Sequence, residues 1–431
     1  MTPVVTGIVG LIGLFSLIAM GMPIGFAMGL VGFLGFAYLI SFHAAIIKVG
    51  VVTFDISTNY AIGTVPLFLF MAHVLFASGI GRDLYDVAAC WLGRRRGGLA
   101  MATIGASSGF AAASASSIAT TATMGLVALP EMRKHNYDVS LASGSVAAGG
   151  TIGSLIPPSG MFIIYGILTE TSIGKMFAAG IIPGILLAVF YMITIAVVCR
   201  INPNAGPRGP KYSFSEKLVS LKKTGEVIIL FMLVMGGILL GWFTPTEAGA
   251  MGAFGAIIVA SLRRRLNWKA LKEAIYSTLK TTGMIFGILF GALVFNSFIT
   301  VTNIPLNIVG FVTESGFSPF VVLLLILSVY LLLGMVLDAS AMMTLTIPLF
   351  FPLVTNLGFD AVLFGVLVVR MTEIALITPP VGMNVYVLSG IAPDIPLRKI
   401  FKGTLPFVMA DAVHVALLLT FPILVLWLPS L

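Results

Sequence analysis

The amino-acid sequence predicts an all-α polytopic membrane protein, built as an inverted structural repeat with two re-entrant helical hairpins and two broken helices. Three observations carry this reading. The 431 residues are 58% hydrophobic and only 9% charged, where a soluble domain carries roughly 25% charge. Mean hydropathy is +1.09, and apolar runs of about 20 residues recur, the length that crosses ~30 Å of hydrocarbon. Residues 222 positions apart match over long stretches, and the basic bursts on one side of the match have nearly neutral counterparts on the other. This composition excludes soluble enzymes, nucleic-acid binders and disulfide-stapled secreted modules. Cys90 and Cys199 stand alone in apolar context. The four histidines form no Cys/His cluster, and no GxxxxGK[ST] phosphate loop is present.

The charges place the elements in order. Basic bursts fall at Arg94-Arg95-Arg96, Arg133-Lys134, residues 200–223, Arg263-Arg264-Arg265 with Lys269 and Lys272, and Arg398-Lys399 with Lys402. The positive-inside rule assigns all five to the cytoplasm. Residues 4–40 read as two short helices broken at Gly21-Met22-Pro23, and segment 60–90 then enters from outside. Only 36 residues, 97–132, separate Arg96 from Arg133. That is too few for two spans of ~20 residues and a turn, so a re-entrant hairpin is expected, tipped by Ser114-Ala115-Ser116-Ser117. Segment 139–168 leaves toward the neutral loop 170–174, and 176–199 returns to a basic linker, 201–222. Residues 226–262 form a second helix pair, broken at Thr244-Pro245-Thr246. Segment 273–312 then goes out, a second hairpin at 314–355 enters from outside, 361–390 comes in and 404–429 goes out. Both chain ends lie outside in this scheme.

The constant offset defines the repeat. Pro23 maps to Pro245, Phe76 to Phe298, Leu84 to Leu306, Pro130 to Pro352, Asp138 to Asp360, and Pro157-Pro158 to Pro379-Pro380. The halves are 1–200 and 223–431. Arg94–Arg96 map to Gly316–Ser318, and Arg263–Arg265 map back to Ser41–His43, as expected if the halves insert with opposite orientation. Ser116 at the first tip maps to Asp338 at the second. Inverted repeats interrupted near mid-membrane are the architecture of secondary transporters.

Each Pro-Pro pair removes two backbone donors and opens its helix. The freed carbonyls need a partner in a lipid environment. An alkali cation is one such partner, and the N–H groups of the following half-helix suit an anion. A simple kink satisfied by Ser and Thr side chains is the alternative.

At these residues the sequence resembles the large membrane (M, DctM-like) subunit of TRAP transporters, the tripartite ATP-independent periplasmic transporters. The resemblance is carried by Pro66-Leu67-Phe68, Gly93-Arg94-Arg95-Arg96-Gly97-Gly98-Leu99-Ala100, the tip Ser114–Thr120, Pro130-Glu131-Met132 and Asn136-Tyr137-Asp138. It continues through Ile156-Pro157-Pro158-Ser159, Gly241–Ala248, Leu337-Asp338, Pro348 with Pro352, and Thr378-Pro379-Pro380-Val381-Gly382. Asn136 stands where the family more often has Gly, as does Ala115. The resemblance implies an elevator-type, sodium-coupled carrier of an organic acid (a C4-dicarboxylate, sialic acid or similar carboxylate), with no other cofactor and no enzymatic activity. It implies a periplasmic substrate-binding protein and a separate small membrane subunit (Q) as partners, in a bacterial inner membrane, with no nucleic-acid role. A stand-alone sodium-coupled dicarboxylate symporter is the rival reading.

Two sodium sites are expected on this basis. The first uses Ser114 and Ser116 with main-chain oxygens near Gly153, Ile156 and Pro158. The second uses Asp338 with oxygens near Ala375, Thr378 and Pro380. A substrate carboxylate is expected at the half-helix N-termini near Ser159 and Asn384, helped by Arg370. Several residues also have plainer readings. Asp338 suits a helix cap, and Arg370 with Glu373, three residues apart, suits an internal ion pair. Glu247 suits a cap, His73 and His414 suit core packing, and the Gly-rich run 144–153 suits close helix contact.

Overall fold

The computed structural model describes residues 2–431 apart from 115, 223, 315 and 336, and excludes the side chains of 112, 113, 311 and 313. Ala115 at the first tip and Lys223 at the end of the basic linker therefore lie outside the described residues. Those described form 21 α-helices and three short 3₁₀ turns, with no β-strand beyond an isolated bridge between Arg96 and Arg208. Six helical stretches are long and apolar enough to cross a membrane, and shorter apolar helices accompany them. The protein is a multi-pass, all-helical membrane protein.

The first half runs α1 (Pro3–Ala19), α2 (Ile24–Leu39), α3 (Phe42–Thr58), α4 (Thr64–Ala77) and α5 (Ile80–Leu92). It continues with α6 (Gly98–Ser114), α7 (Ser117–Lys134), α8 (Val139–Thr151), α9 (Gly160–Thr169) and α10 (Ile173–Ile201). The linker carries α11 (Phe214–Leu221). The second half has α12 (Gly225–Leu239), α13 (Pro245–Leu262), α14 (Trp268–Val301), α15 (Ile304–Glu314) and α16 (Pro319–Gly334). After these come α17 (Ala339–Asn356), α18 (Ala361–Ala375), α19 (Met383–Ile391), α20 (Leu397–Thr420) and α21 (Ile423–Leu426). Adding 222 to the bounds of α7 gives those of α17, and it carries α8 onto the start of α18.

Local chemistry explains these matches. Asp138 accepts hydrogen bonds from the N–H groups of Ser140 and Leu141, and Asp360 does the same for Val362 and Leu363. Each thereby fills orphan donors at a helix start. Thr244 and Glu247 form a reciprocal capping box on α13, so Glu247 acts as the cap the sequence suggested.

Three expected elements are corrected. Segment 60–90 is not one helix: α4 and α5 are separated at Ser78-Gly79, where Gly79 has φ +72°, a left-handed conformation that glycine adopts without a Cβ clash. Segment 273–312 is likewise split after Val301, with Asn303 at φ +58°. Helix α3 was not anticipated, because residues 42–58 mix Lys48 and Asp55 into an apolar run. The second half covers the equivalent of α3 and α4 with the single 34-residue helix α14.

Packing is reciprocal across the halves: α9 packs on α17 and α19 on α7, while α8 packs on α20 and α18 on α10. Small residues set the closest approach. A Cβ on Gly144 of α8 would collide with the backbone of Gly403 in α20, and one on Gly291 of α14 with the backbone of Gly25 in α2. Most of the basic bursts also meet. Arg96 bridges Arg208, the Asp138 N–H donates to Ala205 O at 2.9 Å, and Arg133 pairs with Asp394 at 2.8 Å. These contacts gather the first, second, third and fifth bursts at one end of the molecule.

Candidate functional site

The two helix breaks are built alike and buried differently. Helix α8 ends at Thr151, turns through Ile152–Ser154, and the chain runs through Pro157-Pro158 to Ser159, which caps α9. Helix α18 ends at Ala375, and α19 resumes after Gly382, which is left-handed at φ +60°. Both Pro-Pro peptide bonds are cis. Pro157 and Pro158 are buried, whereas Pro379 and Pro380 are exposed.

The tip between α6 and α7 (the inner tip) is tied into the first break by hydroxyl groups. Ser114 Oγ and Thr120 Oγ1 are 2.7 Å apart, and Thr120 Oγ1 donates to Ser116 O at 2.8 Å. A Cβ on Gly153 would sit 3.0 Å from Thr120 Oγ1 and 3.2 Å from Ser116 O, so a side chain here would push the break and this oxygen cluster apart by a few tenths of an ångström. Ser117 Oγ lies 2.9 Å from Ser154 Oγ and also donates to Glu373. The tip between α16 and α17 (the outer tip) is organised differently. Asp338 accepts from the N–H groups of Ser340 at 3.0 Å and Ala341 at 3.2 Å, capping α17. Gly334, at the end of α16, lies against Ala375 at the second break.

Both tips and both breaks reach one cavity of about 140 Å³. Ser116, Ser117, Ser154 and Gly160 face it from the first half, and Asp338, Ser340, Glu373 and Met383 from the second, with Leu69 of α4 and Thr281 of α14 completing the wall. Of the expected sodium ligands, Ser116 and Asp338 line this cavity directly. Ser114, Gly153 and Ala375 are buried beside it. Ile156 and Pro158 instead face a larger apolar cavity of about 550 Å³ bounded by α4, α10 and α12.

The expected substrate residues are placed behind the wall. Ser159 is fully buried and donates to Ser154 O at 2.5 Å. Asn384 is fully buried, and its amide nitrogen lies 3.4 Å from Ala147 O. Their neighbours Gly160 and Met383 reach the cavity instead. Arg370 is also fully buried, and it corrects the expectation of a pair with Glu373: its guanidinium binds Asp411 of α20, with Tyr191 OH of α10 at 3.2 Å. Tyr191 OH donates to Asp411 at 2.6 Å and lies 3.0 Å from Thr151 Oγ1. The sequence reading missed Asp411, although a carboxylate inside an apolar helix is itself a signal that a counter-charge lies nearby. His414 meets the Pro183 carbonyl at 3.0 Å and Phe190 edge-on, and His73 meets Thr278 at 3.2 Å.

Comparison with known proteins identifies the family. The profile of the family described as "Tripartite ATP-independent periplasmic transporter, DctM component" matches residues 11–424. The chain belongs to the DctM family. It is therefore a transporter permease component, not an enzyme. This DctM chain is 36% identical to the C4-dicarboxylate TRAP transporter large permease protein DctM of Pseudomonas aeruginosa, over 88% of the chain and 86% of that protein. It is 32% identical to the sialic acid TRAP transporter large permease protein SiaM of Vibrio cholerae, over 97% of each. In fold alone it resembles the YdaH transporter of Alcanivorax borkumensis, with a TM-score of 0.60 at 14% identity, covering 85% of this chain and 86% of that one.

Proposed function

We propose that this DctM chain is the transport subunit for sodium-coupled uptake of an organic acid bearing a carboxylate, of the C4-dicarboxylate or sialic-acid type carried in the names of its relatives. The observation that supports this most strongly is the shared cavity, where hydroxyl and carboxylate oxygens of both tips meet both helix breaks. Hard cations prefer oxygen ligands, and freed carbonyls at the breaks extend the supply. The first sodium site comprises Ser114 and Ser116 with main-chain oxygens near Gly153, Ile156 and Pro158. The second comprises Asp338 with oxygens near Ala375, Thr378 and Pro380. The substrate carboxylate lies between the tips, near the start of α9 and α19. Bound sodium offsets the anion's charge, which makes binding of one favour binding of the other.

In this reading residues 1–200 and 223–431 are inverted repeats joined by the cytoplasmic linker 201–222. The hairpins and broken helices move as a unit against a scaffold containing α1, α2, α12 and α13. The small membrane subunit sits on the scaffold's lipid-facing flank in the bacterial inner membrane, and a periplasmic binding protein delivers the acid from outside. Cysteines replacing Arg95 and Arg264 then label from the cytoplasm; labelling from the periplasm contradicts this orientation. The function is tested by uptake into proteoliposomes holding the large and small subunits, with an imposed inward sodium gradient. Uptake should require both sodium and the purified binding protein. Sodium-driven uptake without the binding protein would move the assignment to a stand-alone symporter, and uptake driven by ATP would reject it.

A further inference from the structure

Asp338 and Glu373 are the two carboxylates on the cavity wall, and their surroundings differ. Asp338 is engaged by the backbone N–H groups of its own helix. Glu373, in the last turn of α18, is only 1% exposed. One of its oxygens accepts from Ser117 Oγ, and the other, Oε1, has no hydrogen-bond partner among the described residues. The cation one turn away, Arg370, already faces the fully buried Asp411, so its charge is matched. An ionised carboxylate buried without a counter-charge is strongly disfavoured, and an anionic substrate in the same cavity adds repulsion. The groups converging on Glu373 are hydroxyl oxygens, Ser117 Oγ and, 2.9 Å beyond, Ser154 Oγ.

We propose that Glu373 is the charged ligand of an alkali-cation site at the inner tip, completed by the hydroxyls of Ser117 and Ser154. The proposal rests on the sodium-coupled reading above and assigns the charge that the inner site otherwise lacks. The residue equivalent to Asp338 at the inner tip is the neutral Ser116. The residue equivalent to Glu373 in the first half is Thr151, which faces Tyr191 instead. Among the described residues the first half therefore contributes no carboxylate to the cavity, and the inner site borrows one from the second. Each tip then has one fixed negative charge within reach, matching one monovalent cation. The ion also ties together α7, the first break and α18, so its departure releases all three.

The test needs no transport. The full chain, purified with its small subunit, is melted in rising sodium chloride, with choline chloride holding ionic strength constant. Sodium bound only to the native state stabilises it by RT ln(1 + [sodium]/Kd), so the rise of the midpoint with sodium yields the half-saturating concentration. Glu373→Gln should raise the half-saturating sodium concentration at least tenfold, Glu373→Asp should recover part of that loss, and Ser154→Ala should fall between Gln and wild type. A Glu373→Gln curve superimposed on that of wild type overturns the proposal. If Glu373→Gln does not fold, the Ser117→Ala/Ser154→Ala double variant, which keeps the carboxylate, takes its place. An unchanged sodium curve there overturns the proposal equally. A wild-type protein indifferent to sodium instead brings down the sodium-coupled reading, and this site with it.

Discussion

The inner tip with the first break and the outer tip with the second break occupy equivalent positions in the two halves, yet they are held in opposite ways. The inner region is sealed. Its prolines are buried, its tip is stitched to Ser154 and Glu373, and α8 lies against α20 where Gly144 and Gly403 touch backbone to backbone. The outer region is looser: Pro379 and Pro380 are exposed, and Asp338 bonds only to the start of its own helix. The position matching Gly144 is Val366, and that matching Gly403 is Ile181, so α18 and α10 are kept further apart by side chains. A repeat thus preserves the placement of tips and breaks while single substitutions decide which region is locked.

The largest effect should come from the buried charges that join the two regions. Arg370 and Asp411 are both fully buried and paired, and removing one partner of such a pair costs about 3–5 kcal/mol. Arg370→Met or Asp411→Leu should therefore lower the melting temperature sharply, and the double variant should be more stable than either single change. By contrast Arg133–Asp394, whose side chains are 44% and 62% exposed, should contribute no more than ~1 kcal/mol.

A second change acts on the seal itself. Gly144→Ala pushes a methyl group into the Gly403 backbone, and overpacking of this kind costs about 1–3 kcal/mol. Gly283→Ala in α14, where an added Cβ meets nothing within 4 Å, has no such clash, so denaturation of the two variants should separate them. Equal losses would show that the closeness of α8 and α20 is not what locks the inner region.

At the tips, Asp338 and Ser116 both cap the second helix of their hairpins. Asp338 makes two bonds at 3.0 and 3.2 Å, where Ser116 Oγ accepts one long bond from Ala119 at 3.4 Å. Loss of a cap costs about 0.5–2 kcal/mol, so Asp338→Ala should sit near the upper end and Ser116→Ala near the lower. Sodium-dependent uptake should follow the same order, because Asp338 also removes a charge that offsets the cation's. Comparable uptake in the two variants would contradict the unequal roles assigned to the tips.

The smallest effect lies in the linker, away from both tips. Hydrogen bonds from the Ser213 backbone N–H and hydroxyl hold Glu216 below the usual carboxylate range. A depressed folded value means that this contribution is present above the ordinary carboxylate pKa of about 4.3 and fades as pH falls through the lower folded value. Glu216→Gln should shift melting slightly at neutral pH and not at all at strongly acidic pH, with uptake unchanged at neutral pH.

Much of this architecture was legible in the sequence. The hairpins, the breaks and the paired short helices follow from prolines, charge bursts and a constant offset, which are local or periodic signals. The split at Ser78-Gly79 escaped because an apolar segment that continues past a single glycine gives no change of pattern. Helix α3 escaped because its mixed character resembles a connection. The site was half legible. The repeat aligns Ser116 and Asp338, which both line the cavity, whereas spacing along the chain points Arg370 to its nearest acid, Glu373. The true partner of Arg370, Asp411, lies 41 residues away, and only the packing of α18 on α20 brings them together. Glu373 is freed for the cavity by the same contact.

We propose that both tips bind sodium and that the outer site depends on Asp338. It is tested most directly by initial uptake rates into proteoliposomes as sodium is titrated, at fixed binding protein, for wild type and Asp338→Ala. Wild type should respond sigmoidally, with a Hill coefficient approaching the number of sites, and Asp338→Ala should respond weakly and without cooperativity. Uptake that persists undiminished when choline replaces sodium would contradict it.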